Sequence, residues 1–397
     1  MTRHTVIVTD GEQRAALAVV RSLGAAYRCV VAATSTGSLA SGSRFCAKTV
    51  LVPDPLEFPN EFADAIVALA AKEKASLVLP IAEAALLAIL PVRSRLLSAV
   101  VPFPDIETFN ALTDKQRLLE EAARLGIAIP AQQIVPDRAS LGSIDVHSLT
   151  YPVVLKPARS VGSINGGRAK VSVSYARDAD ELIRAVRTAS PAAFPLLVQQ
   201  RIVGPGTGIF LLLWDGEQRA AFAHRRLCEK PPSGGVSVYR ESIPLDVDLL
   251  ERSRALLDCF AWRGVAMVEY KRDATTGQPY LMEVNGRFWG SLQLAIDAGV
   301  DFPKLLAECA LGAHTAPQIP YRLGVRSRWW WGQVDHIVGR LRSRRKPPVP
   351  PGTMSTSRAV TDLLLGPFRR ADYEEILRWS DPRPFWNETV RWMGARS

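Results

Sequence analysis

The chain has 397 residues, 47% of them hydrophobic and 22% charged, with a formal net charge of +10. It therefore reads as globular, with room for two or three domains. It has no apolar run near the roughly 18 residues of a membrane span and no signal-like segment in MTRHTVIVTDGEQ. Cys29, Cys46, Cys228, Cys259 and Cys309 are scattered with no C-x-x-C, which argues against a zinc site or a disulfide framework and for a reducing cytoplasm. The charge is uneven. Residues 321–397 carry 15 Lys and Arg against 7 Asp and Glu, a net +8 that leaves +2 for residues 1–320.

In chain order, TVIVT (5–9) reads as a buried strand, followed by Asp10-Gly11, a helical pattern to Leu23 and a second strand, CVVAA (29–33). This is a βαβ opening, without the G-x-G-x-x-G of a dinucleotide site. A helix at 61–75 and a strand at 77–80 complete an α/β unit over residues 1–110. TDKQRLLEEAARLGI (113–127) predicts a helix with Thr113 as N-cap, Gln116 completing a capping box and Gly126 at its end. YPVVLKP (151–157) predicts a strand stopping at Pro157, then a basic loop (158–170) with Gly162, Gly166 and Gly167. A strand at 171–175, a helix at 178–189 and a strand LLVQQRIVG (196–204) follow. Residues 209–227 predict a hairpin turned at Asp215-Gly216, 249–262 a helix, and 265–272 with 279–285 a strand pair. KPPVPPG (346–352) reads as a stiff linker.

The chemistry concentrates in YLMEVNGRFWGS (280–291). Strand alternation puts Met282 and Val284 on one face and Glu283 and Asn285 on the other, about 7 Å apart. If the turn DATTGQP centres near Thr276, Glu269 faces Glu283. Two facing carboxylates repel unless a cation lies between them. Two carboxylates and a carboxamide are hard oxygen donors that suit Mg²⁺ shared with phosphate oxygens. Two solvated strand glutamates are the plainer alternative. Lys156 ends its strand just before the Gly/Ser loop 158–167, which has no Walker A pattern but is able to offer backbone N–H groups to phosphates. In 224–242, His224 and Arg226 share one strand face and Arg225 takes the other. Arginine suits a carboxylate or a phosphate; a solvated basic hairpin is the alternative.

The order of DK (114–115), YPVVLKP (151–157), the Gly-rich loop, LLVQQRIVG (196–204), MVEYKRD (267–273) and YLMEVNGR (280–287) resembles the ATP-grasp superfamily. The likeness covers residues 1–315 and is strongest to the carboxylate–amine ligase branch, related to biotin carboxylase and carbamoyl-phosphate synthetase modules. It implies an α/β chain: a Rossmann-like pre-ATP-grasp domain (1–110), then an ATP-grasp fold of two α+β subdomains (111–195 and 196–315), followed by a small basic extension (316–397). It implies that Lys115 and Lys156 contact ATP phosphates and that the loop around Ser160, Gly162 and Ser163 closes over them. Gln199, Gln200 and Ile202 would form the adenine hinge, where Gln199-Gln200 departs from the usual glutamate and leaves the nucleotide's identity open. Glu269, Glu283 and Asn285 would hold one or two Mg²⁺ ions, with Mn²⁺ as a substitute. Arg287, with Lys156, would stabilise the transferred phosphoryl group. Arg225 and Arg240 would face the substrate beside His224, and Glu83 would reach it from the first domain.

The expected activity is ATP-dependent joining of a small-molecule carboxylate to an amine through an acyl phosphate, in the cytoplasm. A phosphotransferase at the same site, or a non-catalytic binder of membranes or polyanions, stands as the alternative. The last comes from VRSRWWWGQVDHIVGRLRSRRK (325–346), where Trp329, Val334, Ile337, Val338 and Leu341 fit one helix face. Such a helix either lies on a membrane surface or docks on the body with its arginines solvated. No nucleic-acid recognition motif is present. Oligomeric state is not legible.

Overall fold

Thr5–Val8 (β1) is buried along its whole length, as a parallel strand covered on both faces must be. With Arg28–Ala33 (β2), Cys46–Leu51 (β3) and Leu77–Leu79 (β4) it forms a parallel sheet ordered β3-β2-β1-β4. β3 was not foreseen because it is an edge strand whose residues alternate between half-buried and exposed. The helices Arg14–Leu23 (α1), Pro59–Lys72 (α2) and Glu83–Ile89 (α3) accompany this sheet. The computed structural model from which these elements come describes residues 3–164, 167–232, 234–313, 320–342 and 354–394, so Gly166 and the Pro-rich stretch 346–352 lie outside the described residues.

The helices Ile106–Thr113 (α4) and Lys115–Arg124 (α5) correct the expected capping box. Thr113 ends α4, its Oγ donating to Phe109 O at 2.8 Å. Asp114 is the cap of α5, accepting from the N–H groups of Gln116 and Arg117 at 3.1 and 3.2 Å. A carboxylate at the positive end of a helix outcompetes a threonine whose hydroxyl is already satisfied one turn back. Gly126, at φ +69°, ends the helical segment as expected.

Gln132–Val135 (β5) and Val153–Pro157 (β6) belong to a small antiparallel sheet. The stretch expected as a loop is instead a hairpin, Val161–Ile164 (β7) with Gly167–Lys170 (β8). Ser174–Ala176 (β9), the helix Ala179–Thr188 (α6) and Leu196–Gln200 (β10) complete the unit, in the order β5-β10-β6-β9. Val153, Leu155, Leu182, Val186, Leu196 and Val198 give it a core of its own. Because β10 pairs with β5 and β6, this sheet runs past the boundary expected at residue 195.

Gly206–Trp214 (β11) and Glu217–Lys230 (β12) form the hairpin expected from Asp215-Gly216, both at positive φ. Val236–Ser242 (β13), the helix Val247–Cys259 (α7), Gly264–Arg272 (β14) and Pro279–Asn285 (β15) follow. After Leu292–Ala298 (α8) and Phe302–Ala310 (α9) come Arg326–Arg328 (β16), Trp330–Leu341 (α10), Thr356–Leu365 (α11), Asp372–Glu374 (β17) and Arg383–Gly394 (α12). The large sheet is ordered β15-β14-β11-β12-β13-β16-β17, and only its last pair is parallel. One apolar core joins it to the first domain, where α1 packs on α8 and α9.

The C-terminal extension docks on the body, where Arg14 pairs with Glu375 at 2.6 Å, Arg21 with Asp381 at 2.8 Å and Asp297 with Arg378 at 2.6 Å. Arg328 is fully buried and pairs with Asp372 at 2.9 Å and Glu374 at 3.0 Å. Trp331 stacks on Trp392 with centroids 4.0 Å apart, and Trp329 Nε1 donates to Glu388 at 2.6 Å. The face that α10 buries is Gly332, Gln333, His336 and Ile337, while Leu341, placed on the apolar stripe, is exposed. Trp329, Trp331 and Trp392 thus serve internal packing, and no helix among the described residues is long and apolar enough to cross a membrane.

Candidate active site

A cavity of about 380 Å³ lies where the first domain, the small sheet and the large sheet meet. The small sheet contributes Val154, Lys156, Tyr175 and Gln199, and the large sheet His224, Arg226, Glu269, Glu283 and Asn285. Arg287 and Trp289–Ser291 come from the turn after β15.

Glu269 faces Glu283 and Met267 faces Asn285, as the strand pairing predicts. The route to that register differs. Tyr270, Lys271 and Arg272 face Leu281, Tyr280 and Pro279, one residue out of step with a turn centred on Thr276. A bulge at Met282 then restores the step, so two residues of β15 oppose one of β14. The bulge also corrects the assignment of faces. Met282 lines the cavity beside Glu283, with Lys156 Nζ 3.8 Å from its sulfur.

The charges around the glutamates are fixed by specific contacts. Asn285 Nδ2 donates to Glu283 at 3.2 Å, and Arg287 Nη2 donates to Asn285 Oδ1 at 3.0 Å. Lys115 Nζ lies 3.8 Å from Glu283 and donates to Ser160 Oγ at 3.0 Å, while its backbone N–H bonds Ala158 O. Burial pushes the Glu269 carboxyl up. Burial acts on Glu283 too, but Lys115 and Lys156 outweigh it and hold that carboxyl low. Burial lowers the Lys156 ammonium, against the pull of Glu283 and Glu269. Two facing carboxylates are thus driven apart in acidity.

Among the described residues no three His, Cys, Asp or Glu side chains converge as a closed metal cage. Glu269, Glu283 and Asn285 instead supply hard oxygens from one sheet face. That fits a Mg²⁺ ion that keeps its other positions for phosphate and water. Arg226, which the sequence put on one strand face with His224 while Arg225 was the arginine expected at the site, is the cation found beside Glu269. It pairs with Glu269 and, at 3.0 Å, with Glu229. Gly206 makes room for it, since a Cβ there would stand 2.9 Å from the Arg226 chain. A glycine opposite an arginine was the available signal.

The remaining expected residues separate. Gln199, buried and pinned by a 2.7 Å bond from its amide to Gln132, lines the cavity with Gln200 and Ile202. Glu83 starts α3. It is not among the residues lining the cavity, and burial raises its carboxyl, opposed by Arg287 and Lys115. Gly162 has a packing reason for its identity, because a Cβ would lie 2.3 Å from Ala192 O. The Ser163 side chain lies outside the described residues. His224 faces the cavity and is fully buried. Arg225 does not face it. It lies on the opposite strand face, half exposed, bound to Glu241 at 2.8 Å. Arg240 is buried behind the cavity wall, 2.6 Å from Glu375. Arg14, which lines the cavity from the start of α1, had no sequence signal.

Residues 193–331 match the family model described as "ATP-grasp in the biosynthetic pathway with Ter operon". No curated protein matches by sequence. Solved structures are similar across most of the chain. Biotin carboxylase from Campylobacter jejuni is 14% identical with a TM-score of 0.64, covering 82% of this chain and 74% of that one. L-amino acid ligase from Bacillus licheniformis is 17% identical, at 0.62, covering 79% and 76%. N5-carboxyaminoimidazole synthetase from Staphylococcus aureus is 12% identical, at 0.63, covering 81% and 80%. The chain has the ATP-grasp fold.

Proposed function

We propose that the protein joins a carboxylate to an amine at the expense of ATP, through an acyl phosphate. The observation that carries this reading is the Glu269–Glu283–Asn285 face with Lys156, Lys115 and Arg287 converging on it. A carboxylate oxygen attacks the γ-phosphorus, the bond to the bridging oxygen breaks, and ADP leaves. The amine nitrogen then attacks the acyl carbon, the carbon–oxygen bond to phosphate breaks, and the amine gives up a proton. Lys156 and Arg287 offset the negative charge on the transferring group, and the β7–β8 hairpin, tethered through Ser160 to Lys115, limits water. Mg²⁺ held by Glu269, Glu283 and Asn285 would neutralise phosphate charge. In support, one similar structure, from Hydrogenobacter thermophilus, is a complex with ADP, its magnesium salt and bicarbonate. The site is taken to act on small molecules in the cytoplasm.

The test is ADP release with Mg²⁺-ATP and pooled carboxylic acids and amines, for the wild type and Glu283→Gln. Release that needs both pools and drops at least about a hundredfold in the variant supports the reading. With an ¹⁸O-labelled acid, the label must reach the released phosphate. ADP release with a phosphorylated product and no amide would favour phosphotransfer instead. No release from any pool would sink both.

A further inference from the structure

The helix α11 wears its polarity inverted. Its one acid, Asp362, is 2% exposed, whereas Leu364 is 62% and Leu365 49% exposed, with Val360 beside them also exposed. The turn that follows, Gly366–Phe368, leaves Phe368 85% exposed. At about 100° per residue, Val360, Leu364 and Leu365 fall on one side of the helix, and Ala359 and Asp362 on the other. Polar bonds hold that inner side. Gln333 Nε2 donates to Ala359 O at 3.0 Å, buried Arg328 donates to Asp362 O and, at 3.3 Å, to Leu363 O, and Arg369 Nη1 donates to Asp362 Oδ1 at 2.7 Å. Attachment therefore needs no apolar contact from Leu364, Leu365 or Phe368, which are left to face outward.

The charges around this apolar face have one sign. Residues 354–371 contain a single acid, Asp362, and Arg369 pairs with it. Asp372 and Glu374, just beyond, turn inward to Arg328. Arg358 and Arg370 are exposed and form no ion pair among the described residues. Arg340 donates to Met354 O, which brings the end of α10, with exposed Leu341 and Arg342, to the start of α11. A second copy of the chain would set the same arginines against each other. A nucleic acid would use the arginines at its phosphates and leave the leucines in water. An anionic bilayer surface answers both halves: phosphates meet the guanidinium groups, and the acyl boundary takes the apolar side chains.

We propose that α11 and the turn after it dock the protein on an anionic lipid surface. Leu364, Leu365 and Phe368 enter the boundary between headgroups and acyl chains, and Arg358 and Arg370 meet lipid phosphates. The contact is made by α11 and not by the Trp-rich α10, whose own buried face packs on the body. It requires no refolding, since the inner side of α11 is already fastened through Arg328 and Gln333. Arg328 belongs to β16, in the same sheet as Glu269 and Glu283, so docking holds that sheet at the membrane surface. The inference does not depend on the ligase reading above.

The experiment is co-sedimentation of the full chain with vesicles of phosphatidylcholine alone, and of phosphatidylcholine and phosphatidylglycerol in equal parts. Each arginine near an anionic surface contributes about a fivefold gain in affinity. The expected result is binding to the mixed vesicles at least about tenfold tighter than to the neutral ones, weakening as salt is raised. Joint replacement Arg358→Gln and Arg370→Gln lowers that affinity by about twenty-five-fold. Joint replacement Leu364→Ser and Phe368→Ser lowers it at least about tenfold. Both pairs keep the wild-type melting midpoint, because the side chains replaced are exposed. No binding to either vesicle, equal binding to both, or binding that survives the serine pair overturns the inference. Tighter binding to random-sequence duplex DNA than to the mixed vesicles, untouched by the serine pair, overturns it in favour of nucleic acid. A dimer in sedimentation that the serine pair dissolves, with no vesicle binding, overturns it in favour of a second copy.

Discussion

Replacing Arg226 with methionine tests whether the guanidinium holds the place of a metal ion. Methionine keeps the apolar stem that packs over Gly206 and removes the charge. Arg226 spans Glu269 and Glu229, both about one-tenth exposed. At an effective dielectric constant near 20, a pair about 3 Å apart is worth roughly 5 kcal/mol before desolvation. Truncating one partner of such a buried pair costs about 3–5 kcal/mol, because the remaining charge is left alone. Urea unfolding in EDTA should show that loss for Arg226→Met. Two additions should restore stability: Mg²⁺, which can sit against Glu269, and the second change Glu269→Gln, which removes the orphaned charge. A loss under about 1 kcal/mol, or a double variant no more stable than the single one, refutes the electrostatic account. A Mg²⁺ effect equal in wild type and variant refutes the metal part.

Gly162→Ala should be costly although the backbone there is ordinary, because the new methyl meets Ala192 O. The hairpin must shift, at about 1–3 kcal/mol, and affinity for a Mg²⁺-ATP analogue should fall about tenfold by calorimetry; unchanged affinity would refute this. Burial raises the Glu374 carboxyl to about 8 and that of Glu388 to about 7, from an ordinary 4.5. Arg328 and Arg378 oppose the shift at Glu374, and Asp372 and Glu375 add to it. Between pH 4.5 and 8 the folded chain holds protons that the unfolded chain has released, so this contribution to stability falls as pH rises through that window. Denaturation midpoints should decline from pH 5 to 8, and Glu374→Gln should flatten the decline; an unchanged slope would refute the assignment.

Much of the layout was legible because it depends on short-range rules. Asp215-Gly216 announced its hairpin, and the apolar runs of β1, β2 and β4 announced a parallel sheet. The Glu269–Glu283 pairing was legible too, though a turn half a residue off and a bulge at Met282 cancelled each other on the way. Arg14 and Arg226 were not legible as site residues, since each takes its meaning from a partner far along the chain. β13 and β16 were missed for a related reason. Their buried arginines, Arg240 and Arg328, make them look like surface segments until Glu375, Asp372 and Glu374 arrive. The Trp-rich helix suits either a lipid surface or a protein surface by periodicity alone. What Trp329 and Trp331 touch, Glu388, Thr389 and Trp392, comes from some 60 residues further along the chain.

The docking of the extension also sets an order of events in time. Arg14 and Arg21 leave the ribosome some 360 residues before Glu375 and Asp381, the acids that hold them. At about 5–20 residues per second, that gap lasts tens of seconds. Within it the first domain can fold, and once Arg287 has been made the Lys156–Glu283 side of the cavity can form while Arg14 and Arg240 still lack the acid that joins them. The part of the cavity wall that carries Arg14 is therefore completed only after residues 372–394 have been made.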